Sequence, residues 1–187
     1  MLFRSDPAVV SNGTILISGI SEDDAYSVTF TSPCDALTVS GAAPSCEPAP
    51  TVDLVINEVL SDPGTVVDAN GDGTFSSTQD EFVEIVNNGA SDVDLSGWAL
   101  NDGAGLKHTF PGGSVVSAGC AVVVFGGGTP TGAFGGALVQ TASSGGLGLN
   151  NGGDDIFLFD DLANLIVSLT YGGEGNNGQA ITRDPDI

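Results

Sequence analysis

The sequence predicts an all-β protein, a sandwich or a barrel, on three observations. Apolar residues do not recur at the three-and-four spacing of an amphipathic helix over any long stretch. Short runs of β-branched residues, bounded by Gly, Asn, Asp and Pro, recur along the whole chain instead. The acidic residues are mostly Asp, whose short carboxylate bonds nearby backbone N–H groups and therefore belongs to turns.

Taken in chain order, GTILISGI (13–20), AYSVTFTS (25–32) and ALTVSGA (36–42) read as the first strands. CEPAPTVD (46–53) reads as a linker stiffened by Pro48 and Pro50. A second series follows: LVINEVL (54–60), EFVEIVN (81–87), SGWALND (96–102), KHTFPGG (107–113), CAVVVFGG (120–127), ALVQTA (137–142), DIFLFDD (155–161) and LIVSLTYG (165–172). The domain reading is therefore a partial β-sandwich module at 1–47, a linker at 48–52 and a second domain at 53–187. An immunoglobulin-like domain usually takes about 100 residues, so 1–47 corresponds to the C-terminal part of one. Either the sequence begins inside that module, or its missing strands come from another chain, which makes the protein a polymerising subunit.

Within EFVEIVN, alternation sets Phe82, Glu84 and Val86 on one face and Glu81, Val83 and Ile85 on the other. Each face mixes one acid with two apolar groups, which places one carboxylate at the wet end of the strand. Trp98 follows a DLSG turn and, as the single indole, reads as a core anchor. Its alternative is an exposed platform on which a ligand stacks.

Charge narrows the partners. The 24 Asp and Glu against three Lys and Arg give a formal net charge of −21. Nucleic acid needs Lys/Arg patches, and Arg4, Lys107 and Arg183 do not make one. The same deficit argues against an anionic membrane surface. So much acid serves solubility, or divalent-cation binding, or life in a salty medium. No apolar run approaches the roughly 20 residues that span a bilayer, and MLFRSDP has no signal-peptide core, although a leader upstream of it could have been removed. Cys34 and Cys46 flank DALTVSGAAPS, a strand between turns, which suits a local disulfide and an oxidising compartment. Such a bridge contributes about 3 kcal/mol in the loop-entropy account. Cys120, in AGCAVVVF, reads as a buried small apolar residue.

The stretch DANGDGTFSSTQDEF (68–82) carries the main candidate site. A calcium loop presents oxygens from its first, third, fifth and seventh positions, with glycine at the sixth and a bidentate acid at the twelfth. Counted from Asp68, the sequence supplies Asp68, Asn70, Asp72, Gly73 and Thr74 in register. The twelfth position is Gln79, and the acids Asp80 and Glu81 come late. With no flanking helices this is not an EF-hand. It resembles the helix-free, Asp-rich calcium loops of extracellular repeat proteins, closed by Asp80 from the start of a strand. The metal reading is Ca²⁺ held by Asp68, Asn70, Asp72, Thr74 and Asp80. The alternative is an Asx-rich turn whose side chains bond backbone N–H groups. Clustered carboxylates repel without a cation, which favours calcium, and Mg²⁺ demands tighter octahedral geometry.

Other candidates are weaker. Asp23-Asp24, Asp154-Asp155 and Asp160-Asp161 read as turn acids, because sequence neighbours on a strand point to opposite faces and do not flank a sugar together. His108, the single histidine, reads as a strand-edge surface residue; a zinc site wants more ligands than His108 and Cys120. No GxSxG elbow and no GxxxxGK[ST] loop occurs. The Gly-rich run from Phe125 to Asp155 reads as flexible loops and tight turns. Asn12, in NGT, is a sequon-like position.

Through the ordered blocks LVINEVLSDP, DEFVEIVNNGASDVDLSGWALND, KHTFPGGSVVSAGCAVVVFGGG, LGLNNGGDDIFLFDD, VSLTYG and QAITRDPD, the chain resembles the lamin-tail domain family in its bacterial, secreted form, from Asp53 to Asp186. Asn57-Glu58, Glu81 to Glu84, Leu95-Ser96-Gly97-Trp98, Phe110-Pro111 and Gly153-Asp154 stand where that family's recurrent signatures stand. The resemblance implies an immunoglobulin-like β-sandwich without an active site, used as an accessory module of surface or secreted proteins, sometimes beside nuclease or phosphatase domains. Residues 1–47, with TSPCDALTVSGAAPSC as a cysteine-bearing tail, resemble the end of the immunoglobulin- or fibronectin-type modules of bacterial surface proteins.

The expected function is a non-catalytic extracellular or cell-surface structural or adhesive module, stabilised by calcium. Its expected partners are proteins, including copies of itself in a filament, with no nucleic acid and no membrane insertion. The alternative is an accessory binding domain that targets glycans or surfaces for a secreted enzyme.

Overall fold

The computed structural model describes residues 9–11, 14–16, 25–31, 36–42 and 52–186. The chain divides into two compact units, Met1–Thr51 and Val52–Ile187. In the first unit, β1 (Val9–Ser11) pairs antiparallel with β2 (Thr14–Leu16), and β3 (Ala25–Thr31) with β4 (Ala36–Ala42). Cys34, Cys46 and Asn12 lie outside the described residues, and with them the disulfide and the sequon.

The second unit is an immunoglobulin-like β-sandwich. Its strands are β5 (Leu54–Leu60), β6 (Phe82–Asn87), β7 (Val93–Asp94), β8 (Ala99–Asp102), β9 (Gly105–Thr109) and β10 (Val115–Val116). They continue with β11 (Ala121–Phe125), β12 (Leu138–Thr141), β13 (Asp154–Phe159), β14 (Leu165–Tyr171) and β15 (Ile181–Thr182). One sheet runs β12-β11-β6-β5-β15 and the other β14-β13-β8-β9, with β10 and β7 as a separate ribbon. All neighbours are antiparallel except β11 and β12. A parallel neighbour needs a crossover of about a dozen residues, and the Gly-rich segment after Phe125 supplies it.

Alternation explains the core. Val83 and Ile85 of β6, Val122 and Val124 of β11, Leu100 of β8, and Ile156 and Leu158 of β13 are all buried in one apolar cluster between the sheets. Each such side chain contributes about 1.5–3 kcal/mol when fully buried. β5 needs a correction of phase. Strict alternation from Leu54 and Ile56 aims Glu58 into the core, yet Val59 is the buried residue. The register shifts between Ile56, opposite Ile85, and Glu58, opposite Glu84, so Asn57 is the extra residue of a bulge. Trp98 belongs to the same cluster and is 8 % exposed, the core-anchor position.

Two expectations fail in the second unit. Cys120 is exposed and free rather than buried. It precedes β11, in a turn whose Cys120 N–H donates to Ser117 O, so the apolar alternation begins only at Ala121. His108 does lie on β9, an edge strand, but the residue is buried, 3 % exposed. It packs edge-on against Phe110 at 4.7 Å between ring centres.

Candidate functional site at the acidic loop

The loop between β5 and β6 folds back on its own backbone. Asp68 Oδ2 accepts from Gly73 N–H at 2.9 Å, Asn70 Oδ1 from Asp72 N–H at 3.0 Å, and Asp72 Oδ1 from Thr74 N–H at 2.8 Å. The last two are the two-residue Asx turns that short polar side chains favour. Asp80, fully buried, closes the loop: Oδ1 accepts from Asn70 N–H at 3.0 Å and Oδ2 from Ser76 N–H at 2.8 Å. One carboxylate thus ties the front of the loop, its rear and the entry to β6.

The crossover after β11 is the second wall of this site. Gly126 N–H donates to Glu81 O, Gly127 N–H to Gln79 O, and Thr131 N–H to Asn70 O, all between 2.8 and 3.1 Å. Asn70 Nδ2 donates to Gly127 O at 3.2 Å, and Thr129 N–H to Asp72 Oδ2 at 3.0 Å. That Thr129 bond, then the Thr74 one, holds the Asp72 carboxyl below its ordinary pKa. Gly128 has φ +76°, and a Cβ there would collide with Asn70 Nδ2 and Asp72 Oδ2. The glycines read from the sequence as flexible loop are, at 126–128, the close-fitting side of the site.

The five residues expected to hold calcium are therefore in one loop, with different roles. Asp68, Asn70, Asp72 and Asp80 each accept a backbone N–H, and Thr74 supplies one. Asp68 Oδ1 is buried without a hydrogen-bond partner. Among the described residues, no group of three or more His, Cys, Asp or Glu side chains is arranged to hold a metal ion.

Two further groups matter beside the loop. Glu81, expected from its alternation to share a face with Val83 and Ile85, is 3 % exposed, so this carboxylate is not at a wet end. Its Oε2 accepts from Gly148 N–H at 2.8 Å and Leu149 N–H at 3.4 Å. Burial pushes the carboxyl up to about 7, against the pull of those N–H groups and of Lys107. Lys107 itself pairs with Asp102 at 2.8 Å. On the opposite face of β6, Asn57 Nδ2 donates to Glu84 Oε1 and to Asp186 Oδ1, both at 2.9 Å. Glu58 is raised by burial first, then by Glu84 and Asp186.

The buried ring of His108 is engaged at both nitrogens. Ser143 N–H donates to its Nδ1 at 3.2 Å, so Nδ1 is the acceptor and Nε2 carries the proton. Nε2 then donates to Gln140 Oε1 at 2.7 Å, and Gln140 Nε2 donates to Ser114 Oγ at 2.8 Å. No ring lone pair is left for a substrate or a metal.

A family model described as Lamin Tail Domain matches residues 47–173. No curated protein matches the chain.

Proposed function

This chain belongs to the Lamin Tail Domain family, and from that premise we propose that it is a non-catalytic structural module of a bacterial surface or secreted protein, with calcium stabilising its acidic loop. The observation that carries this reading is where the polar groups point. The loop carboxylates and the buried imidazole are turned onto the chain's own hydrogen-bonding groups rather than into a cleft. A catalytic site aims such groups at a substrate position.

Calcium would be held by oxygens of Asp68, Asn70, Asp72, Thr74 and Asp80. Its support is the alternate spacing of hard oxygen donors and the buried, unpartnered Asp68 Oδ1. A carboxylate oxygen that accepts one N–H keeps a second lone pair, so the hydrogen-bonded ring and a bound cation are compatible.

Self-association is the proposed partner chemistry. Among the described residues β3 pairs with β4 alone, and strand addition at the edges of such a two-stranded ribbon is what supports this reading. Light scattering of the full chain over a concentration series tests this: species that grow with concentration support it, and a monomer throughout removes it. The accessory-binding alternative needs an exposed ring. Trp98 does not provide one, whereas Phe75, 56 % exposed in the acidic loop, is what supports that reading.

A further inference from the structure

Asn-Gly is the dipeptide in which a side-chain amide is most open to attack by the next backbone nitrogen, because glycine places no Cβ beside that nitrogen. The pair occurs at Asn12, Asn70, Asn88, Asn151 and Asn177. Asn12 lies outside the described residues; the structure sorts the other four.

Asn70 is fully buried, with Nδ2 on Gly127 O and Oδ1 on Asp72 N–H. At Asn88 the attacking nitrogen is occupied, since Gly89 N–H donates to Asn87 Oδ1 at 3.1 Å, and the amide is held by Asp53 Oδ2 at 3.0 Å. Asn177 is exposed, but its Oδ1 accepts from Gln179 N–H at 3.0 Å and Gly178 has φ +68°. Asn151 and Gly152 are both exposed at the tip of the turn closed by Gly153 N–H on Asn150 O, and neither the Asn151 side chain nor Gly152 N–H has a hydrogen-bond partner among the described residues.

We propose that Asn151 is a self-modifying site of this protein, deamidated through the Gly152 nitrogen with water as the only co-reactant. The Gly152 nitrogen loses its proton to solvent and bonds to Asn151 Cγ; the Cγ–Nδ2 bond breaks and ammonia leaves. Water then opens the cyclic imide at either carbonyl, giving aspartate or isoaspartate. The net change is one water consumed and one ammonia released, with no oxidation.

The position gives the event a structural consequence. Asn150 N–H and Nδ2 both donate to Asp154 Oδ2 at 3.1 Å, and Asn150 O accepts the Tyr171 hydroxyl at 2.9 Å. Isoaspartate lengthens the main chain inside this turn, and either product sets a new carboxylate beside Asp154 and Asp155. Each event adds one negative charge to a chain that already carries −21.

The test is timed incubation of the full folded chain at mildly alkaline pH, with peptide mapping and isoaspartate detection, beside a sample in denaturant. Expected is acid accumulating at Asn151 ahead of Asn177, with Asn70 and Asn88 intact while folded and all of them converting in denaturant. Gly152→Ala, where an added Cβ meets nothing within 4 Å and φ is not left-handed, should slow conversion at Asn151 alone at least tenfold. Conversion at Asn70, Asn88 or Asn177 as fast as at Asn151 in the folded chain overturns the proposal. So does an Asn151 that stays an amide while the denatured sample converts.

Discussion

Both ring nitrogens of His108 are engaged, Nδ1 accepting and Nε2 donating, and burial lowers its proton affinity below the ordinary 6.5. As pH falls, the unfolded chain takes the proton before the folded one. The contribution of His108 to stability is therefore full above about pH 6.5 and is lost as pH falls through the folded value. Glu81 has the opposite sign: raised from 4.5 to about 7, it contributes fully below about pH 4.5 and fades as pH climbs. In a Glu81→Gln background, melting temperature should fall on acidification just below pH 6.5, and adding His108→Gln should flatten that slope. Asp80→Ala strands the N–H groups of Asn70 and Ser76 at a fully buried position. It should lower unfolding stability by about 2–4 kcal/mol, seen as a lower urea midpoint at unchanged slope, while Asp80→Asn keeps an acceptor and loses less. The Asx turns of the acidic loop were legible because spacing along one loop is a local property. The burial of His108 was not, because Gln140 and Ser143 reach it from a distant part of the chain.

At the scale of elements, the acidic loop and the crossover hold each other, and Gly128 is one of the positions where they fit closely. Gly128→Ala must place a Cβ against Asn70 and Asp72 from a left-handed backbone, which should destabilise by roughly 1–3 kcal/mol. Gly146→Ala, with nothing within 4 Å of its Cβ and no left-handed φ, should leave the urea midpoint nearly unchanged; equal effects would contradict the docking of the two segments. The longer strands of the second unit were legible, since four to seven residues show a period of two. β7, β10 and β15, two residues each, show no period at all. The bulge at Asn57 was hidden for a related reason: alternation is read from one strand, whereas a bulge is a relation between two. Nor does any local signal announce that β12 runs parallel to β11, because that pairing is made by the crossover.

For the whole molecule, the family and its immunoglobulin-like fold were legible from the order of blocks between Asp53 and Asp186, and the model match over residues 47–173 bears this out. Assembly was not, since the hairpins of the first unit do not say what lies beside them. The net charge of −21 has a consequence for stability at this scale. Self-repulsion should make unfolding midpoints rise with monovalent salt, through screening; a midpoint independent of salt would contradict it. Divalent cation acts differently, through a site. A ligand of the folded state raises stability by mass action, so saturating calcium at about a hundredfold excess over its dissociation constant should raise the melting temperature by roughly 5–10 °C. The most direct measurement is calorimetry of the full chain with calcium and with chelator, repeated on Asp68→Ala at matched ionic strength. Calcium held in this loop should give the wild type a higher melting temperature than chelator does, and the variant a much smaller shift; an unchanged wild-type melting temperature would rule out calcium as the stabiliser of this loop.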